Sequence, residues 1–220
     1  MSPPAPPRDP FRSARLIYRA VIPADDSVFA AIDADRIGYI NSNASNIKLP
    51  GPADAERFRK SVSEELLGAI ICLPSTFPPP STTGSNSSRT STPGPAPPPI
   101  PIGQIHLKGS SQNHRHHRNT ELGVDILPLY QGKGYGGEAI RWALDYAFRR
   151  AGLHKVRIRA FEWNEGAVRL YERIGFKHEG RERESLWHEG RFWDGIEMGM
   201  VEREWWELQR EEREKEGAPI

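Results

Sequence analysis

A glycine-rich loop in the second half of the chain constrains its fold more than any other feature. The loop is Gln131-Gly132-Lys133-Gly134-Tyr135-Gly136-Gly137. Behind it, apolar residues recur at the three-and-four spacing of one helical face over 139–147. Glycines let the backbone approach an anion closely, and a helix N-terminus offers unpaired N–H groups and a positive dipole end. A strand, glycine loop and helix in this order predict a phosphate-binding site.

Three other interpretations of the loop are possible in principle. A P-loop needs Gly-Lys-Ser/Thr, but Lys133 is followed by Gly134, so magnesium would lack its hydroxyl ligand. The spacing of Gly132, Gly134 and Gly137 satisfies the G-x-G-x-x-G fingerprint of dinucleotide-binding proteins. That fingerprint normally opens a series of alternating strands and helices, whereas this loop follows strands without a crossover helix between them. A tight connection whose glycines serve only geometry stays open as the third interpretation.

The periodicity of the remaining sequence predicts mixed α and β structure. Predicted strands are 15–21, 68–73, 100–107, 120–127, 155–161, 177–186 and 192–201. Predicted helices are one that begins after an N-cap at 23–26 and runs to about 32, then 52–67, 136–151 and 164–174. The strands on either side of 74–99 are expected to pair as a hairpin, and the last two strands around a turn at 188–190.

Composition limits partners and compartment. The formal net charge is +1, whereas nucleic-acid-binding domains usually carry a basic excess, and no apolar run approaches a membrane span. We therefore expect neither a nucleic-acid nor a membrane partner. Cys72 is the only cysteine and lies in an apolar run, which predicts a buried side chain and fits a reducing, cytoplasmic setting, with the nucleus left open.

Polar and proline-rich composition predicts the domain organisation. The segments 1–11 and 74–99 cannot bury enough apolar surface to offset their ordering entropy, so we predict that both are disordered. The domain is predicted to span 12–206, interrupted by 74–99 and followed by a charged tail at 207–220. The histidines His114, His116 and His117 lack a fourth ligand and a rigid frame for a metal, so we expect a solvated loop there.

Two motifs resemble those of the GNAT superfamily of N-acetyltransferases. The first, Gln131-x-x-Gly134-x-Gly136, matches the superfamily's Q/R-x-x-G-x-G/A motif, and residues 164–176 are similar to its N-x-x-A-x-x-L-Y-x-x-x-G-F signature. The branch that includes bacterial spermidine N-acetyltransferases and ribosomal-protein alanine N-acetyltransferases is especially similar. The resemblance is strong over about 120–201 and rests on element order before that. It implies a mixed α/β fold with a mostly antiparallel central sheet flanked by helices.

The resemblance also implies the reaction and the residues that bind its substrates. Acetyl-CoA would be the co-substrate, without a metal, and an amine would attack its thioester directly in a ternary complex. Strand 120–127 would splay from strand 155–161 to admit the pantetheine arm, which Asn164 would contact, with Gln131 bracing the loop. The N–H groups that would hold the pyrophosphate are those of Gly132, Lys133, Gly134, Tyr135, Gly136 and Gly137. Those that would bond the pantetheine and polarise the carbonyl are Val124, Asp125 and Ile126.

Tyr171 stands at the position of the superfamily's usual general acid. A phenol has a pKa near 10, so it stays protonated at neutral pH and can donate to the leaving thiolate. A core aromatic on the apolar helical face beside Leu170 and Ile174 is the alternative interpretation.

The sequence leaves the general base and the acceptor open. Glu121 and Asp125 share one face of a strand, and Glu121 would take the amine proton through water or be a solvated carboxylate. The expected acceptor is a primary amine: a small amine, a polyamine or a protein N-terminus. Asp33 and Asp35 favour a polycation, whereas the nearly uncharged segment 41–50 does not. A catalytically degenerate CoA-binding or protein-interaction domain is the alternative function. No oligomeric state is indicated.

Overall fold

A seven-stranded sheet organises the chain in the computed structural model, which describes residues 9–45, 48–75 and 97–215. The strands are β1 (Ile17–Ala20), β2 (Leu67–Leu73), β3 (Ile100–Leu107), β4 (Asn119–Ile126), β5 (Lys155–Phe161), β6 (Lys177–His188) and β7 (Arg191–Val201). The helices are α1 (Asp26–Ala34), α2 (Arg36–Ser42), α3 (Pro52–Glu64), α4 (Tyr135–Asp145), α5 (Glu165–Ile174) and α6 (Glu202–Lys215). The order across the sheet is β1-β2-β3-β4-β5-β7-β6.

Every neighbouring pair of strands is antiparallel except β4 and β5. This confirms the predicted mixed α/β fold with a mostly antiparallel central sheet. The expected hairpin of β2 and β3 is present, with Leu73 opposite Ile100 at its end. The segments predicted to be disordered, 1–11 and 74–99, fall largely outside the described residues. The charged tail is described to residue 215, where it continues helix α6.

Alternation along β2 divides the core into two layers. Ala69 and Ile71 face the larger cluster, which contains the apolar side of α4, while Ile70 and Cys72 pack against Phe29 and neighbouring residues of α1 and α3. Each fully buried Ile of this kind stabilises the fold by roughly 1.5–3 kcal/mol relative to an exposed side chain. The predicted burial of Cys72 is confirmed, since its side chain is inaccessible to solvent.

The sheet opens where its two parallel strands meet. Pairing between β4 and β5 ends at Glu121 and Arg157, although β4 stays paired with β3 as far as Ile126. Strand β5 instead remains paired with β7 as far as Phe161. Because β4 stays paired with β3 while β5 stays paired with β7, a wedge opens between β4 and β5, as the resemblance implies.

Element ends and two helices differ from the sequence predictions. The predicted helix 136–151 begins at Tyr135 and changes at Tyr146–Arg150 into a π-helical turn, and the predicted helix 52–67 ends at Glu64 because β2 begins at Leu67. Helix α2 was not predicted, since none of its residues is buried and no apolar periodicity marks it. In the described ranges, no helix has both the length and the apolar character needed to cross a membrane.

Candidate active site

A cleft of about 1410 Å³ occupies the wedge between β4 and β5. Its walls come from α1 and α2, the cleft-facing side chains of β3 and β4, the glycine loop and helix α5. Most residues that the sequence predicts for the site line this cleft: Glu121, Val124, Asp125, Ile126, Gln131, Gly132, Gly134, Gly136, Gly137, Asn164 and Tyr171. The fold therefore brings together segments that lie far apart in sequence.

The glycine loop requires glycine at two positions for backbone reasons. Gly132 has φ 70° and Gly134 has φ 82°, in the left-handed region that other residues rarely adopt. The loop ends directly at the N-terminus of α4. Within the described chain, no N–H between residues 132 and 137 donates to a backbone or side-chain acceptor. These N–H groups are available to an anion.

Gln131 braces the loop as the resemblance implies. Its Nε2 donates to the carbonyl oxygen of Ile126 at 2.7 Å and to Oδ2 of Asp35 at 3.1 Å. These bonds tie the loop both to the end of β4 and to the start of α2. Gln131 therefore fixes the position of the loop relative to both β4 and α2.

Lys133 and Tyr135 do not line the cleft, although both belong to the loop. The Nζ of Lys133 donates to the carbonyl oxygen of Leu129 at 2.8 Å, and the ring of Tyr135 lies 4.7 Å from the guanidinium of Arg15. Their side chains thus serve the loop's own structure, and only their backbone N–H groups remain candidates for phosphate binding.

Arg15 lies beside the glycine loop, a contact that the sequence did not indicate. Its Nε bonds Glu138 at 2.7 Å, its Nη1 donates to the carbonyl oxygen of Lys133 at 3.1 Å, and its Nη2 lies 3.3 Å from where a Cβ on Gly134 would stand. The guanidinium therefore lies against the glycine loop. No local pattern could reveal this contact, because Arg15 is far from the loop in sequence.

The direction of the N–H groups on β4 corrects one prediction. Lys108 N–H donates to Glu121 O and Leu127 N–H donates to Ile102 O, so residues 121, 123, 125 and 127 exchange hydrogen bonds with β3. The N–H of Asp125 accordingly faces β3 rather than the cleft, contrary to the predicted set of three cleft-facing N–H groups. Val124 and Ile126 lie between these positions, and their N–H groups face the cleft. The sequence alone does not show which alternate N–H groups of β4 face β3 and which face the cleft toward β5.

Tyr171 lines the cleft from α5 and is 9% exposed. Its hydroxyl forms no hydrogen bond with another group of the described residues. Burial, together with the negative charge of Asp125, raises the pKa of Tyr171 to about 12. The phenol therefore keeps its proton at neutral pH and holds it free for a partner in the cleft.

Asn164 caps α5, as predicted, and also touches α2. Its Oδ1 accepts from the N–H of Ala167 at 3.2 Å, and its Nδ2 donates weakly to the carbonyl oxygen of Asn41 at 3.4 Å. Helix α2 thus bridges the cleft from the loop side at Asp35 to α5 at Asn41. Contact of Asn164 with pantetheine stays a prediction.

Glu121 is engaged in an ion pair. Its Oε1 lies 2.7 Å from Nζ of Lys108 and 4.0 Å from Nη2 of Arg159. Burial would raise the pKa of Glu121, but the hydrogen bond and charge of Lys108, with Arg159 and Arg157, lower it overall. A carboxylate held in this way is a weak proton acceptor. Its role as general base stays a prediction, and the ion pair counts against it.

A hydrogen-bonded row of side chains crosses β3 and β4. Gln104 Nε2 donates to Oδ2 of Asp125 at 2.7 Å, and Gln104 Oε1 lies 3.0 Å from Nδ1 of His106. Gln104 is fully buried, while Asp125 and His106 line the cleft. Burial raises the pKa of Asp125, and the hydrogen bond from Gln104 partly offsets that effect. Sequence reasoning missed Gln104 and His106, because their contact with Asp125 depends on the register of two strands.

Two buried polar atoms at the α1–α2 side of the cleft have no partner among the described residues. They are Oδ2 of Asp33 and the hydroxyl of Tyr39. Burial and the neighbouring carboxylates of Asp54 and Asp125 raise the pKa of Asp33. Unpaired oxygens at this position would accept hydrogen bonds from a cationic ligand.

The histidines of the 114–117 segment lie outside this cleft on an exposed turn. Across the described ranges, no cluster of three or more His, Cys, Asp or Glu side chains is arranged to hold a metal ion.

Residues 15–177 match a family model described as the Acetyltransferase (GNAT) domain. Two curated relatives are matched over a shorter stretch. Spermidine N(1)-acetyltransferase of Vibrio cholerae serotype O1 is 38% identical over 86 residues, which make up 39% of this chain and 50% of the relative. The ribosomal N-acetyltransferase YdaF of Bacillus subtilis is 36% identical over 88 residues, 40% of this chain and 48% of the relative. The matched stretch spans about half the length of these relatives, and both branches expected from the motifs are represented.

The fold has a close counterpart among solved structures. The crystal structure of spermidine N-acetyltransferase from Vibrio cholerae in complex with CoA and spermine has a TM-score of 0.66 to this chain, at 22% identity. The likeness covers 88% of this chain and 99% of that one. At this level of identity it shows the fold alone, and it confirms the architecture expected from the resemblance.

Proposed function

Because the chain belongs to the GNAT family of acetyltransferases, we propose that it transfers the acetyl group of acetyl-CoA to a primary amine, with both substrates in the cleft between β4 and β5. The observation that carries this proposal is the coincidence of two features. The strands part after Glu121, and the free N–H groups of residues 132–137 stand at the same opening. The opening between the strands would admit the pantetheine arm of acetyl-CoA, and the free N–H groups would bind its phosphates.

The residues present fit acetyl-CoA. The loop offers successive N–H groups at the N-terminus of α4, and Arg15 adds a positive charge beside it. Beyond the loop, the N–H groups of Val124 and Ile126 face the wedge and can bond the pantetheine arm and the thioester oxygen. The order of these groups, from phosphate to thioester, follows the order of the parts of the co-substrate.

In the reaction we propose, the amine nitrogen forms a bond to the thioester carbon and the carbon–sulfur bond breaks. The N–H of Val124 or Ile126 stabilises the negative charge that develops on the carbonyl oxygen. The thiolate of CoA takes the phenolic proton of Tyr171. The raised pKa of Tyr171 makes it a weak acid, and burial in the cleft would raise the pKa of the departing thiol in the same direction, which favours transfer of the proton to the thiolate.

For the acceptor we propose a cationic primary amine of the polyamine class. Two comparisons support this choice. One relative is named spermidine N(1)-acetyltransferase, and the related crystal structure is a complex with CoA and spermine. The α1–α2 side of the cleft carries Asp33 and Asp35, and Oδ2 of Asp33 is buried without a partner in the described chain. A second ammonium group of a polyamine would satisfy that oxygen while the first is acetylated.

Two measurements test the proposal. Calorimetric titration should show binding of CoA, and tight binding of NADH without binding of CoA would favour the dinucleotide interpretation instead. A thiol-release assay should then be run with spermidine, spermine, a monoamine and a peptide with an N-terminal alanine. We expect amine-dependent release, fastest with the polyamines. Fastest release with the peptide would indicate a protein N-terminus as the acceptor in place of a polyamine. CoA binding without release on any amine would favour a degenerate CoA-binding domain.

A further inference from the structure

The imidazole of His106 lies over a glycine on the neighbouring strand, where a larger residue would clash with it. His106 lies opposite Gly123 in the antiparallel pairing of β3 and β4, and its imidazole covers that glycine. A Cβ on Gly123 would stand 2.3 Å from Cε1 and 2.6 Å from Nε2 of the ring, so no other residue fits there without moving the imidazole. The ring also lines the cleft that holds Tyr171 and Glu121. None of the roles described above uses it.

The hydrogen bonds of His106 fix which ring nitrogen carries the proton. The Gln104 amide turns its NH₂ group toward Asp125, because its Nε2 donates to Oδ2 of that carboxyl group at 2.7 Å. The other end of that amide, Oε1, can only accept, and it faces Nδ1 of His106 at 3.0 Å. Nδ1 therefore carries the hydrogen in the neutral ring. The lone pair is left on Nε2, which has no partner in the described part of the chain.

The surroundings keep this imidazole neutral. Burial lowers the pKa of His106, and the charge of Lys108 on its own strand acts in the same direction. Glu65 after α3 and Glu121 on β4 oppose these effects without reversing them. Asp125 has no direct hydrogen bond to the ring in the described chain, and the neutral amide of Gln104 links the two. An imidazole that is neutral at physiological pH and has a free Nε2 lone pair can accept a proton.

We propose that His106 is the general base of the transfer, taking the proton of the acceptor amine on Nε2 directly or through one water, with Gln104 and Asp125 as positioning residues. The inference rests on the proposed function. As the nitrogen attacks the thioester, its surplus proton passes to Nε2 and the ring becomes an imidazolium. That proton returns to solvent when the acetylated product leaves, and the Tyr171 phenolate left after protonation of the thiolate takes one proton back from solvent, so the protons balance. Gln104 keeps the ring in the tautomer that makes this transfer feasible.

The neighbouring carboxylates fit the role less well. Glu121 is paired with Lys108, and its pKa is lowered. Asp125 accepts a hydrogen bond from the amide of Gln104 at 2.7 Å, which holds the carboxylate in place. His106 is thus a cleft residue whose accepting nitrogen has no partner in the described part of the chain and whose pKa is below that of an ordinary histidine.

Steady-state kinetics with the best amine of the panel give the first test. His106→Gln should lower kcat by roughly 10²-fold or more, with little change in the affinity for CoA. The wild-type profile of kcat/KM against pH should show a bend below about pH 6.5, the ordinary histidine value, that is lost in this variant. His178→Gln, at an exposed histidine bonded to Glu172, is the matched control and should behave like the wild type. A bend that survives in His106→Gln and disappears in Glu121→Gln would overturn the proposal.

Chemical rescue separates proton transfer from packing. Imidazole added to His106→Ala should restore part of the turnover, and substituted imidazoles should do so in proportion to their basicity. Rescue that depends only on size would assign His106 a structural role and overturn the proposal.

The tautomer supplies a readout that does not depend on turnover. Long-range ¹H–¹⁵N spectra of imidazole-labelled wild type should show the hydrogen of His106 on Nδ1, and a hydrogen on Nε2 at neutral pH would overturn the inference. If the wild type and His106→Gln turn over equally well, the assignment of His106 as general base fails, while the proposed acetyl transfer stands. If the wild type releases no CoA with any amine, the proposed function fails and this inference fails with it.

Discussion

Arg15 and Glu138 form an ion pair, with 2.7 Å between Nε and Oε2, directly behind the glycine loop. Glu138 also accepts from the backbone N–H of Arg15 and from Oγ of Ser13, both at 2.7 Å. The pair attaches the segment before β1 to the first turn of α4. A carboxylate at this helix N-terminus would repel a phosphate, and the guanidinium offsets that charge while facing the loop.

Arg15→Ala should therefore weaken CoA binding. We expect the dissociation constant, measured by calorimetry, to rise by roughly tenfold, the scale of one charge-assisted hydrogen bond. Arg12→Ala is the matched control, because Arg12 is similarly exposed and its ion-pair partner is Asp9. Unchanged CoA affinity in Arg15→Ala, with an unchanged melting temperature, would remove Arg15 from the phosphate site.

Gly134→Asp should abolish CoA binding while the fold survives. The substitution places a side chain in a left-handed conformation and a negative charge where the phosphates would approach. Gly190→Asp is the matched control, since Gly190 has φ 81° and open space around it in the β6–β7 turn. Both variants carry the same strain and the same charge. Equal CoA affinity in both, measured by calorimetry, would contradict a phosphate site at the loop.

Asp25 is the clearest electrostatic contribution to stability. It is 3% exposed, and it accepts two hydrogen bonds from Arg19, at 2.6 and 2.8 Å, and one from the N–H of Ile22 at 2.9 Å. Burial opposes its ionisation, but these bonds and the charges of Arg19 and Arg59 outweigh burial, so its pKa is lowered. The stabilisation is then present above the unfolded value of about 3.9 and is lost as pH falls through the folded pKa.

Asp25→Ala should lower the free energy of unfolding at pH 7 by about 2–3 kcal/mol, because it leaves Arg19 without its partner. Urea unfolding of both proteins at several pH values measures the difference. We expect it to shrink as the pH falls below about 4. A difference that stays constant, or grows, toward acid pH would show that packing rather than the charge carries the effect.

The sequence predicted best those parts of the fold in which local signals agree. The limits of β3 and β5 are as predicted, and α5 begins at its Asn164 cap and ends at Gly175, because alternation, capping and glycine stops act within a few residues. Helix α2 was missed for the opposite reason. It contributes no buried residue to the core and is held by contacts of its ends with Gln131 and Asn164.

The sequence predicts those site residues that belong to a local motif. It does not predict those that reach the site through contacts between distant segments. The glycine loop and Tyr171 follow from the sequence, and the structure brings both to one cleft. The wrong donor prediction for Asp125 arose because the phase of hydrogen bonding along β4 is set by β3. Arg15 and His106 were missed because each reaches the site through a long-range contact that no local pattern records.

Tyr171→Phe measures the central claim most directly: that this cleft transfers an acetyl group and that the phenol protonates the departing thiolate. The change keeps the ring, so its packing against Phe176 and the fold should hold. In amine-dependent CoA release we expect kcat to fall by roughly 10²-fold or more, while KM for acetyl-CoA barely moves, since the lost interaction forms mainly in the transition state. Wild-type turnover in Tyr171→Phe on the best amine would contradict the claim and return Tyr171 to the status of a core aromatic.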